Sequence, residues 1–374
     1  MSMKNTKFTG LLTRKKAVRY LIYILFVCVF AVFVIKLNQV EKTELVVRTG
    51  QTFEKAKVVK ILQDNLEENG TRVGEQKVRV RMLTGVRKGE ELDITSSSGY
   101  LFGAACKPGM KVIVMQSVAG DSTVASVYTQ DREGVIYIFA LIYLLVLCLI
   151  GGKQGIKGCL GLVFTFFCVI FVYLPLVYLK YSPFWTAVFV CFITTLVTMY
   201  LIGGPTRKTC AATLGTLVGV ILAGVSAWCF SKASGISGYN VSDIETLMTL
   251  WNTNRIQVGG LLFSGLLISC LGAVMDVAMS ISSAIDEIYR QNLSLSRKEL
   301  FKAGLRVGRD MMGTDSNTLI LAFAGSSVST LLLDYSYNLP YQQIINSNNI
   351  GIAIMQGLLT LIITILYLFL CFLL

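Results

Sequence analysis

Eight apolar runs divide this 374-residue sequence, at residues 17–37, 134–150, 159–179, 184–202, 211–230, 256–281, 317–333 and 350–374. Each is close to the roughly 17–25 residues that an α-helix needs to cross a bilayer core. Inside hydrocarbon every backbone amide and carbonyl must be satisfied within the segment, so such runs fold as helices. Composition agrees: 54% of residues are hydrophobic and only 15% charged, and mean hydropathy is +0.64. The predicted fold class is an α-helical polytopic membrane protein of about eight transmembrane helices.

The net charge of +12 invites a nucleic-acid reading, but its distribution argues for a membrane. Sixteen Lys and Arg fall on the N-terminus through Arg19 and the alternate short loops 151–158, 203–210 and 282–316, against three on the loops of the other side, including 231–255 and 334–349. That asymmetry places the basic side, and both termini, in the cytoplasm. Residues 1–16 are then a cytoplasmic N-terminus. The run 17–37 is too long for a signal-peptide core and no A-x-A site follows before Gln39, so it is expected to be a signal-anchor helix. The partner this organisation implies is the lipid bilayer of a plasma membrane, not nucleic acid.

Residues 38–133 change character, with 14 basic and 13 acidic side chains. Alternating runs at 56–63, 76–85, 90–94, 110–118 and 123–130, separated by glycine-bearing turns, predict five short strands. Five strands in this length predict an inserted small β-barrel outside the cytoplasm, OB-like or SH3-like. Its face carries few aromatics, which disfavours base stacking and favours a docking module for a protein partner.

Within residues 134–374, the expected seven-helix membrane domain, one acid lies at bilayer depth, Asp276. A carboxylate there costs roughly 2.5–3.5 kcal/mol on insertion scales and is retained where it faces a partner or a water-filled cavity. On a helix, Gly265, Ser269, Gly272, Asp276, Ser280, Ser283 and Glu287 recur at spacings of three and four, forming one small and polar stripe. Such a stripe lines an aqueous path or makes a close helix–helix seam. The carboxylate tips the reading toward a binding or protonation site at Asp276, Ser280 and Ser283.

The segment 282–316 is expected to be cytoplasmic and amphipathic. Ser296 and Glu299 make a capping box, so a helix starts near Arg297. Leu300, Phe301, Leu305, Met311 and Met312 are expected toward lipid. Arg309, Asp310 and Thr314 sit at the mouth of the next run as a candidate inner gate, and Asn317 and Thr318 follow as neutral hydrogen-bonding groups for a substrate or ion. The string LIGG occurs at Leu149–Gly152 and again at Leu201–Gly204, a candidate hairpin repeat.

Several chemistries are disfavoured. The sequence holds no histidine, so His-based general base, nucleophile-pair and HExxH zinc chemistry is out of reach. No CxxC pair or P-loop is present, so neither a metal nor a nucleotide cofactor is implied. Aspartyl proteolysis needs two carboxylates, and this reading finds one at depth. A non-enzymatic chain is expected.

The strings LGAVMDVAMSISSAIDEI and RVGRDMMGTDSNTLILAFAGSS resemble the YibE/F-like family of bacterial multi-pass membrane proteins. Asp276, Ser280, Arg309, Asp310, Gly313, Thr314, Asn317 and Thr318 lie in those strings, and the resemblance extends over nearly the whole chain. It implies a permease-like membrane protein with no established catalytic residues. Two functions follow as expectations. One is a permease or secondary transporter of a small solute, ion or proton through Asp276. The other is a non-catalytic assembly, receptor or regulatory protein that docks a partner through residues 38–133.

Overall fold

A computed structural model describes residues 25–40, 50–68, 71–97, 103–119, 122–239 and 244–358. The chain is mostly helical, with one small β-structure, and divides into two compact units, Thr43–Leu149 and the remainder.

The first unit is built on five strands: β1 (Gln51–Gln63), β2 (Gln76–Met82), β3 (Glu91–Ser96), β4 (Lys111–Ala119) and β5 (Ser122–Gln130). All five correspond to predicted runs. They close into a barrel in the order β1-β2-β3-β5-β4, antiparallel except for the β3–β5 seam. The alternation that predicts β2 decides its faces: Gln76, Val78, Val80 and Met82 are buried, while Arg79 and Arg81 lie on the other side. Each arginine meets the acid opposite it on β3, Arg79 to Asp93 at 2.6 Å and Arg81 to Glu91 at 2.7 Å. Inside, Val58, Val78, Val80, Met82, Val112 and Val114 are at most 1% exposed. Buried Gln76 substitutes for a strand neighbour, accepting from the Cys106 amide at 2.8 Å and donating to its carbonyl at 3.1 Å. Lys55 of β1 pairs with Glu133, the first residue of the helix that follows.

That helix, α2 (Glu133–Cys168), contains a single non-helical residue, Gly152, at φ 52°, ψ −132°. The predicted cytoplasmic loop 151–158 is therefore helical apart from one glycine. The second LIGG string ends alike: Gly204, at φ 69°, caps α4 (Pro183–Gly203). Positive φ is cheap only for glycine, which explains why both strings carry it there. Gln154 also donates to the Ile202 carbonyl at 3.0 Å, linking the two strings.

In the second unit, α2 continues through a π-helical turn (Val169–Tyr173) into α3 (Leu174–Tyr178). The Asn38 side chain, just past α1 (Leu25–Leu37), donates to the Phe171 carbonyl of that turn at 2.9 Å. The packed centre is made by α4, α5 (Arg207–Ser234) and α7 (Leu261–Gln291). Helix α5 buries Ala212, Gly215, Gly219, Ala223 and Ala227, small residues that let helix backbones approach. Buried threonines on the same helices satisfy themselves: Thr194, Thr198, Thr213 and Thr216 each return the hydroxyl to the carbonyl four residues earlier, at 2.5–2.8 Å. Packing in an apolar medium thus leaves no hydroxyl of this set unpaired.

Beyond the short helix α6 (Ile244–Asn254), the chain departs further from expectation. Instead of a cytoplasmic helix and then a separate span over 317–333, one helix, α8, runs from Arg297 to Ser326. Its predicted capping box is present, Ser296 accepting from the Glu299 amide and the Glu299 carboxylate accepting from the Ser296 amide at 2.8 Å. The chain then breaks at Ser327 and resumes as α9 (Val328–Ser336), bent by 61°. Helix α10 (Tyr341–Ile345) and a helical stretch, α11, at 348–358 complete the described residues. Among these, four helices are long and apolar enough to cross a membrane, or five if the bent α8–α9 pair counts as one, and the first of them, Glu133–Tyr178, takes in two of the eight predicted runs. Parts of the first and last predicted spans, 17–24 and 359–374, lie outside the described residues.

Candidate functional site

Helix α7 meets α4 and α5 with one face and leaves the other open. Leu262, Leu266, Leu267, Cys270, Leu271, Val274, Val277, Ala278 and Ile281 are buried. Gly265, Ser269, Gly272, Asp276 and Ser280, the predicted stripe, are exposed. A methyl group added at Gly265 or Gly272 meets nothing within 4 Å. Among the described residues this face is therefore not a close seam; the seam lies on the opposite side.

Helix α8 reaches part of that open face. Gly304 and Gly308, four residues apart, are its buried positions. A Cβ at Gly304 would stand 2.6 Å from Cδ1 of Ile285 on α7. This G-x-x-x-G contact closes the hairpin at its turn end. Farther along, larger side chains hold the helices apart, and a cleft of about 220 Å³ opens between them. From α7 it is lined by Ala273, Asp276, Val277 and Ser280, spaced i, i+3, i+4, i+7. From α8 it is lined by Met311, Asp315, Thr318 and Leu319, spaced i, i+4, i+7, i+8. Each set is one face of its helix.

The cleft brings together three of the predicted binding residues: Asp276, Ser280 and Thr318. The Thr318 hydroxyl donates to the Thr314 carbonyl at 3.0 Å, which leaves its oxygen able to accept or coordinate. Among the described residues no ion pair reaches Asp276 or Asp315. Ser283 is half-buried and outside the lining. Asn317 lies two positions from Asp315, about 200° round the helix, and is exposed away from the cleft. The candidate gate residues Arg309, Asp310 and Thr314 are likewise exposed and outside it.

The residue missing from the sequence reading is Asp315. It supplies the second carboxylate that the apolar runs alone do not reveal. Met311 and Met312 also differ from expectation, packing onto a protein cluster of Met199, Ala212, Val277, Ala278 and Ile281. The signal for this arrangement was present in Gly304-x-x-x-Gly308, which marks the side of α8 that meets another helix.

Two facing carboxylates, two hydroxyls and a thioether beside an apolar wall favour a cation. The local field is negative and nothing in the lining opposes it.

A profile of the YibE/F-like protein family matches residues 139–374, starting inside α2 and leaving the barrel out, so the match is shorter than the resemblance suggests. No curated protein and no solved structure matches the chain. With well over half its length in that match and several helices of membrane-spanning length and apolarity, the chain is a membrane-embedded protein that belongs to the YibE/F-like family.

Proposed function

We propose that this chain is a permease or secondary transporter whose cargo carries positive charge, with the Asp276–Asp315 cleft as its binding site. The observation that carries the reading is the cleft itself, which two carboxylates without a counter-ion among the described residues line from α7 and α8. The α8–α9 break adds support, because transporters place ion and substrate sites at interrupted helices. In this reading the chain has about eight spans in a bacterial plasma membrane. Its termini are cytoplasmic, and its barrel, whose Greek-key strand order is that of the OB type, lies outside. Arg309 and Asp310 act at the inner surface, outside the cleft. We read the role as binding and translocation rather than catalysis, because the sequence holds no histidine for the commoner acyl-transfer pairs.

Flux of cationic solutes and protons into proteoliposomes tests the proposal. Asp276→Asn and Asp315→Asn should each lower uptake at least about a hundredfold, the scale of roughly 2.7 kcal/mol for losing a charged partner, while insertion and yield stay normal. Undiminished flux in both variants would remove the cleft from the mechanism.

A docking role is favoured by one feature of the barrel. Phe53 and Tyr128 form an exposed edge-to-face pair at 5.2 Å, and Val124 is 66% exposed. Such a patch suits a protein partner more than open water.

A further inference from the structure

The break at Ser327 carries a polar face that the Asp276 cleft does not use. On α9, Val328, Leu331, Leu332 and Leu333 are exposed, whereas Thr330 and Asp334 are half-covered. A helix that turns leucine outward and aspartate inward suits lipid outside and a polar interior. Ser327, Thr330 and Asp334, spaced by three and four, share one face. Oδ2 of Asp334 is fully buried and has no hydrogen-bond partner among the described residues. The hydroxyls of Ser327 and Thr330 also make no hydrogen bond there, although Ser326, Ser336 and Thr318 return theirs to carbonyls three or four residues back.

Among the described residues no side-chain cation pairs with Asp334. Asp334 is the only charged residue from position 316 to position 374. The other titratable groups on α9 and α10 are Tyr335, Tyr337 and Tyr341, all exposed. No charged residue lies between Asp315 and the end of α8, or in 348–358. A buried carboxylate oxygen without a partner is costly, and a bound cation removes that cost. One carboxylate matches a single positive charge. Two hydroxyls and the carbonyls near a helix break are the hard oxygen donors that an alkali cation takes. We propose that Asp334, Thr330 and Ser327 form an alkali-cation site at the α8–α9 break, separate from the cleft. Under the transport reading this cation is the coupling ion; the binding itself does not depend on that reading.

The test uses the full chain in lipid nanodiscs, with sodium as the probe and choline at equal ionic strength as control. Sodium should raise the unfolding midpoint. At constant pH it should slow carbodiimide labelling of Asp334, read by peptide mass, at least about fivefold. Asp334→Asn should abolish the midpoint shift, and Thr330→Val should raise the sodium concentration it requires about tenfold. Wild-type labelling keeps the test valid should Asp334→Asn fail to fold. Labelling that is indifferent to sodium, or a midpoint shift that survives both substitutions, overturns the site. Intact sodium binding without any cargo flux would instead sink only the transport reading.

Discussion

Asp276 and Asp315 come from α7 and α8 and line one cleft, and in the proposed transport reading their carboxylates are what a cationic cargo meets. Asp276 was legible because it stands alone in an apolar run, where only function or an inward partner keeps an acid. Asp315 was not, because it lies just before the apolar run 317–333, in the stretch 282–316 that reads as cytoplasmic. Spacing orders residues around one helix but does not say which face meets a neighbour. Single residues also set a pH response in the barrel. Asp64 and Asp93 are held below the ordinary carboxylate range, first by hydrogen bonds from Arg72 and Arg79. Depressed carboxylates stabilise the fold above their unfolded value of about 3.9, and that contribution is lost as pH falls through the folded value. Hydrogen exchange at β2 and β3 amides, corrected for intrinsic rate, should therefore accelerate below that range, and Asp93→Asn should flatten the response. A flat wild-type profile would mean that these pairs add nothing.

At the scale of elements, five strands were legible from alternation because one barrel face is wet and the other dry. Helix boundaries were not. The polar stretch 297–316 reads as an interfacial helix, yet it joins the next apolar run without interruption, since no proline or glycine pair stops it. The break comes instead at Ser327, where the neighbouring Ser326 hydroxyl bonds the Phe323 carbonyl and competes with the ladder. What aligns the cleft is the close approach at Gly304. Gly304→Val overpacks it against Ile285 and should cost about 1–3 kcal/mol, together with part of the flux. Ile285→Ala in the same chain should restore both, as read by thermal unfolding and uptake. Gly304→Val with unchanged stability would show that the contact is loose.

For the whole molecule, the family match begins at residue 139, so the barrel lies outside the matched residues. Deleting residues 50–130 should leave cationic flux at about half of wild type or more if the membrane unit carries transport. Flux that vanishes while the truncated chain still inserts would assign the barrel an essential part. The barrel's closure limits how it can meet another protein. Strand β1 pairs with both β2 and β4, so its backbone has no open edge. Along β1 an incoming peptide finds no row of free amides and carbonyls to extend; strand addition is left only the seam where β3 and β5 pair at Thr95–Ser126 and Ser96–Val127. A companion that meets β1 must instead read side chains on its outer wall, so its specificity should follow single surface substitutions there and tolerate changes in the register of its own backbone.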